Sequence, residues 1–174
     1  MMPRGCPRRA IKFGSVRKVW KPFACQARTT KVSAQRIQLM PIEFTIDSKA
    51  GYFVSRYFGN VTDEELIPAW AEFFEQGGWT PGLNELADLS QADLAAVTTD
   101  GVRQLAVFTE SAYQKRNIVS VLVAVYAPDP LPFGLARVYD AIAVDSPESL
   151  RIFKLRTDAE RWLSNRGNDT EPCA

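Results

Sequence analysis

Residues 117–144, NIVSVLVAVYAPDPLPFGLARVYDAIAV, constrain the fold more than any other stretch of the chain. Residues 118–126 are dense in Val and Leu, and nearly continuous rather than alternating. That pattern marks a strand covered on both faces, as in parallel sheets. Asp129 stands where a helix cap belongs, with Pro130 at the first helical position, where its missing N–H costs nothing. Leu131, Leu135, Val138, Tyr139 and Ile142 then recur at helical spacing. The stretch predicts a buried strand, a turn and a helix that packs back on the strand.

The same unit repeats along the chain. Residues 43–46 alternate polar and apolar, residues 47–51 make a turn, and residues 52–58 form an aromatic-rich strand, so the pair predicts a hairpin. Helix 1 opens at Thr62, whose capping box with Glu65 serves two orphan N–H groups. Leu66, Ile67, Trp70, Phe73 and Phe74 form its apolar stripe, and Gly77-Gly78 ends it. Pro68 lies past the first turn, so either the helix kinks there or a short turn precedes a helix starting at Pro68.

Residues 83–89 are the third strand, and residues 90–96 are expected to be the loop at its carboxyl end. Helix 2 begins near Thr98 or Thr99 and presents Val102, Leu105, Ala106, Thr109, Ala112 and Tyr113 on one face. Lys115-Arg116 closes it with charge that suits the helix dipole. Residues 150–155 are the fifth strand. Helix 4 follows, opened by a second capping box, Thr157 and Glu160, and docked through Ala159, Trp162 and Leu163.

The fold class is therefore α/β: a single domain with a mostly parallel five-stranded sheet, about four helices and the order β-β-α-β-α-β-α-β-α. Its first strand is antiparallel. Length agrees, since 174 residues suit one domain better than two. No apolar run approaches the roughly 18 residues of a membrane span.

The net charge of +1 conceals two kinds of material. Residues 1–39 carry ten Lys and Arg and no acid, whereas residues 40–174 carry eleven basic and twenty acidic residues. Residues 1–39 show no helical or strand period. Three readings stay open for them: a start assigned upstream of a true Met40, a disordered basic extension, or an organellar transit peptide. The expected domain spans residues 40–165, followed by a polar tail over 166–174. An acidic body argues against nucleic acid, whose affinity comes from Lys and Arg neutralising phosphates.

Histidine is absent, which removes Ser-His-Asp and Cys-His nucleophiles, imidazole metal ligation and imidazole acid/base chemistry together. The three cysteines, Cys6, Cys25 and Cys173, lie in the flanks without CxxC spacing. Neither zinc nor a disulfide framework is expected, and the thiol-free body is compatible with a cytoplasmic location. Gly77-Gly78 and Gly82 lack the spacing of a phosphate loop. No cofactor, metal or catalytic residue is expected.

Residues 41–163 resemble the SpoIIAA-like family, a branch of the anti-sigma-factor-antagonist (STAS) fold. The likeness lies in the element order and three segments: residues 59–66 (GNVTDEEL), 133–139 (FGLARVY) and 151–163. The resemblance implies a non-enzymatic binding or regulatory module acting through a protein partner, with a homodimer among the arrangements open to it. Some STAS relatives are switched by phosphorylation of a Ser at the start of helix 2. This chain has Thr98-Thr99-Asp100-Gly101 there, without the Asp-Ser pair of those switches. The family branch also looks like lipid-carrier folds, which implies an alternative: an apolar small molecule held between helices 2 and 3 and the sheet.

Candidate site residues follow from the carboxyl edge of a parallel sheet, where ligands bind. Asp88, Ser90, Asp93 and Asp129 are expected there; local capping and solvation explain Asp93 and Asp129 more simply. The candidate ligand- or partner-binding set is Ser90, Asp129, Phe133, Arg137 and Tyr139. Phe133 and Tyr139 would wall a pocket or partner face, and Arg137 would stand at its rim. A stripe at helical spacing more often belongs to the core. Ser90, Thr98 and Thr99 are candidate phosphoacceptors, although capping alone accounts for the threonines. Trp79 is expected at an exposed loop tip.

Overall fold

A computed structural model describes residues 41–76, 80 and 82–166. These lie within the second of two units into which the chain divides, Met1–Ile37 and Gln38–Ala174. The readings for residues 1–39 and 167–174, for Gly77-Gly78 and for Trp79 fall outside the described residues.

The elements are β1 (Ile42–Asp47), β2 (Tyr52–Thr62), α1 (Asp63–Glu75), β3 (Asn84–Ala96), α2 (Thr99–Lys115), β4 (Val121–Tyr126), α3 (Pro130–Ile142), β5 (Glu148–Phe153) and α4 (Arg156–Ser164). One sheet runs in the order β1-β2-β3-β4-β5. β1 pairs antiparallel with β2, and every later pair is parallel. Strands laid down in sequence order with right-handed crossovers must place their connecting helices on one face. α1, α2 and α3 accordingly share a large core with that face, and α4 covers the other.

Strand periodicity assigns the side chains. Val121, Val123 and Val125 of β4 face the three-helix side, while Leu122, Ala124 and Tyr126 face α4. This is why residues 118–126 show no alternation. Phe44 and Phe53 of β1 and β2 meet Trp70 and Phe73 of α1 on the three-helix side. Phe44 stacks on Phe73 at 4.3 Å between centroids, and Trp70 meets Phe44 edge-on at 5.0 Å. The Trp70 indole N–H donates to the Tyr57 hydroxyl at 3.0 Å.

α1 and α2 are tied at both ends. The Asp63 carboxylate accepts the Thr98 N–H at 2.9 Å and the Thr98 hydroxyl at 2.6 Å, and the Thr98 hydroxyl accepts the Gly101 N–H at 3.0 Å. A Cβ on Gly101 would collide with the Asp63 carboxylate, so only glycine admits this approach. At the far end the Arg116 guanidinium donates to the Phe74 carbonyl at 3.0 Å and lies 4.7 Å over its ring.

Several boundaries differ from the sequence reading. Residues 90–96 are not a loop: β3 continues through them and pairs with an equally lengthened β2, with two register shifts. Burial alternates over residues 90–95, with Ala92 half-buried and Leu94 buried, but the run consists mostly of small and polar residues. Pro68 neither breaks α1 nor starts it; the helix is continuous through it. Glu64 and Pro68 both face solvent, so water can replace the backbone bond that Pro68 removes. The Thr157 and Glu160 box does not form. α4 begins two residues earlier with Leu155 at its cap, and Glu160 instead takes the Arg156 Nε–H at 2.8 Å. Asp129 holds the cap position of α3 but makes no side-chain cap bond. α3 is also turned from its expected stripe: Pro132 and Ala136 are buried, while Leu131 is 49% exposed.

Candidate functional site

On the three-helix side the core is not filled. A cavity of about 100 Å³ lies between the sheet and α1, α2 and α3. Its walls are apolar for most of their extent: Leu89, Leu94 and Val97 from β3 and beyond, Leu105 from α2, and Leu135 and Ala136 from α3. Interiors rarely leave voids larger than a water molecule.

Two carboxylates line this space, Glu85 of β3 and Glu148 of β5. Period-2 geometry turns Glu85 inward with Ala87 and Leu89, and turns Glu148 inward with Leu150. Glu85 is 3% exposed, and its Oε1 accepts the Ser55 hydroxyl from β2. Among the described residues no hydrogen-bond partner is found for its Oε2. Burial pushes the Glu85 carboxyl up to about 8; the Ser55 bond opposes this, and the nearby Glu148 charge adds to it. Glu148 receives the Tyr139 hydroxyl at 2.9 and 3.1 Å, and that hydroxyl also lies 2.8 Å from Thr109 Oγ1. Burial raises Glu148 as well, against the hydroxyls of Tyr139, Tyr113 and Ser146, which favour its ionised form. Burial likewise raises Tyr57, Tyr113 and Tyr139, with the two glutamates adding to the shift, so all three phenols stay neutral.

The sequence-predicted site residues separate in space. Tyr139 lines the cavity at its acidic end. Phe133 is half-buried at the edge of the core, with Lys154 Nζ 5.5 Å from its ring centre. Arg137 and Asp129 are exposed and do not line the cavity. Ser90 belongs to the opposite face: its hydroxyl donates to Asp88 Oδ1 at 2.6 Å, and its N–H donates there at 3.1 Å. Thr98 is engaged with Asp63 and the start of α2, and Thr99 is exposed in the first turn.

Asp88, singled out from the sequence, is buried beneath α4. It takes the Arg156 guanidinium at 2.7 Å, with Arg56 at 3.9 Å. Asp93 is exposed and accepts the Ala95 N–H at 3.1 Å. Among the described residues, no group of three or more His, Cys, Asp or Glu could hold a metal ion. No helix among them is long and apolar enough to cross a membrane.

Sequence reasoning missed Glu85 and Glu148. A signal for Glu85 was present in NELADL, where a Glu occupies an inward position of a strand otherwise inward-facing in Ala and Leu. Glu148 carried no such signal, because β5 begins earlier than its apolar residues suggest.

Element order, strand order and the one antiparallel pair define an α/β domain of the kind the SpoIIAA-like resemblance implies. Among solved structures, the chain is similar to an uncharacterized protein of the DUF3478 family with a SpoIIAA-like fold from Shewanella loihica PV-4. The identity is 20% and the TM-score 0.44, covering 70% of this chain and 91% of that one. An overlap that low carries no argument, and the fold rests on the strand order and pairing given above. No protein-family model matches the chain, and no curated protein matches it.

Proposed function

We propose that the chain is a non-catalytic binding module whose ligand is a small, largely apolar molecule held between α2, α3 and the sheet. The observation that supports this reading is the cavity, about 100 Å³ inside an otherwise packed core. Engineered apolar cavities of about 150 Å³ accept a benzene ring. A space about two-thirds of that volume suits a short branched chain or at most one small ring, not a long lipid.

Ala136→Leu tests the reading, because it fills the space from a helix that tolerates leucine. In NMR titrations of the full chain, toluene should shift signals from Leu105, Leu135 and Ala136, and the variant should lose those shifts while staying folded. Unchanged toluene binding in the filled variant would sink the proposal.

A second reading keeps the protein partner. Leu131, 49% exposed at the start of α3, together with exposed Arg137, supports a contact surface on that helix. A second copy of the chain is one occupant open to that surface. Leu131→Asp should then abolish any self-association detected by sedimentation, and a strictly monomeric parent chain would rule out the homodimer.

A further inference from the structure

The cavity has a charge pattern as well as a shape. Among the described residues it is lined by two carboxylates, Glu85 and Glu148, and by no Lys or Arg. Elsewhere the chain treats a buried acid differently. Asp88, also on β3 and similarly buried, has Arg156 at 2.7 Å and Arg56 at 3.9 Å. Glu85 has a hydroxyl, Ser55, on one oxygen, and its second oxygen has no hydrogen-bond partner among the described residues. An ionised carboxylate without a countercharge is costly in a low-dielectric interior, so such groups are paired or neutralised. Here the described residues supply no cation and leave a space beside the acid.

We propose that the cavity is a site for a small apolar molecule bearing one protonated nitrogen, a primary amine or related cation, with its nitrogen against Glu85 and Glu148 and its apolar part against Leu105, Leu135 and Ala136. This rests on the binding reading above and deepens it by naming the ligand class. The ligand brings the positive charge that the core lacks. Tyr139, fixed between Thr109 and Glu148, holds the second acid in place and offers its oxygen to the same nitrogen. Once Glu85 is ionised, the pattern excludes carboxylates as ligands, because a third negative group would meet the two acids.

The proton inventory gives the proposal its signature. With no ligand, Glu85 carries a proton up to about pH 8. The other titratable groups around it are Glu148 of β5, Tyr57 of β2, Tyr113 of α2 and Tyr139 of α3, and α1 contributes the uncharged Trp70. The phenols stay neutral throughout, so the two acids alone respond to pH. Binding a cation ionises Glu85 and releases its proton. Amine affinity must therefore rise with pH until Glu85 is ionised in the free protein, by up to about tenfold per pH unit.

The test uses three probes of one shape on the full chain: benzylamine, benzyl alcohol and benzoate. Each is titrated by NMR between about pH 6 and about pH 8. Benzylamine should bind at the cavity residues, with a Kd that falls by about tenfold per pH unit, and benzoate should not bind. Glu85→Gln should weaken benzylamine by about tenfold or more at the upper pH and flatten the pH dependence of its Kd. The pH series on the unaltered chain needs no variant, so it stands even if Glu85→Gln fails to fold. Benzyl alcohol binding as tightly as benzylamine, or a pH-independent amine Kd, would overturn the amine assignment and leave the apolar-ligand reading intact. Binding of none of the three would overturn both.

Discussion

The two faces of the sheet solve the same problem in opposite ways. Each carries a buried acid from β3, three residues apart in sequence and therefore on opposite sides of the strand. Under α4, Asp88 is matched: Arg156 and Arg56 supply charge, and Ser90 supplies its hydroxyl and N–H. Beneath α1–α3, Glu85 receives a hydroxyl and faces a cavity. Among the described residues the first acid has a countercharge; the second has none.

The faces also differ in mass. The three-helix side holds Phe44, Phe53, Trp70, Phe73 and Phe74, whereas the α4 side is built on Leu86, Ala124, Ala159 and Leu163. Phe53→Ala, at a site 1% exposed, should be the most damaging change, costing about 3–5 kcal/mol in denaturant unfolding. A loss below about 1 kcal/mol would break the claim that the three-helix side is the principal core.

The next effect separates the faces by pH. Glu85 is raised in the folded protein from 4.5 to about 8, so the folded state holds its proton more tightly than the unfolded state does. Its contribution is fully present below about pH 4.5 and is lost as pH rises towards about 8. Stability should fall by up to about 1.4 kcal/mol per pH unit within that window. Glu148, raised in the same direction, steepens the trend. Glu85→Gln should flatten the curve measured by thermal unfolding at a series of pH values. A parent curve already flat across that window would remove the distinction between matched and unmatched acids.

On the other face, Arg156→Ala should cost about 1–3 kcal/mol by leaving Asp88 with the more distant Arg56. Asp88→Asn in the same background should recover part of that loss in denaturant titrations. Absence of any recovery would show that Arg156 acts through its packing and not its charge. The smallest effect concerns the seam between α1 and α2. Gly101→Ala should displace the Asp63 carboxylate from Thr98 and cost about 1 kcal/mol, the worth of a cap. A neutral or stabilising outcome would mean that Asp63 moves aside without loss.

Much of this architecture was legible in residue patterns. The nearly continuous run of β4 announced coverage on both faces, and the helical spacing of Leu66, Trp70, Phe73 and Phe74 announced α1. Thr98 read correctly as a cap because its partner Gly101 is three residues away. The misses share a cause, which is a partner distant in sequence. The Thr157–Glu160 box fails because Arg156, drawn to Asp88 across 68 residues, also occupies Glu160. Residues 90–96 become strand because β2 offers them a paired edge. Among the candidate site residues, Tyr139 reaches the cavity, while Ser90 lies on the opposite face because one strand residue reverses the side.

The sequence by itself determined the element order, the direction of the strands and the buried faces of α1, α2 and α4, because these follow from local periodicity and the alternation of strands with helices. The tertiary structure alone decided that Glu85 and Glu148 share one unfilled space while Asp88 finds two arginines. Charge matching in a core depends on which strands and helices become neighbours, and that information is carried by the packing and not by any local run of residues.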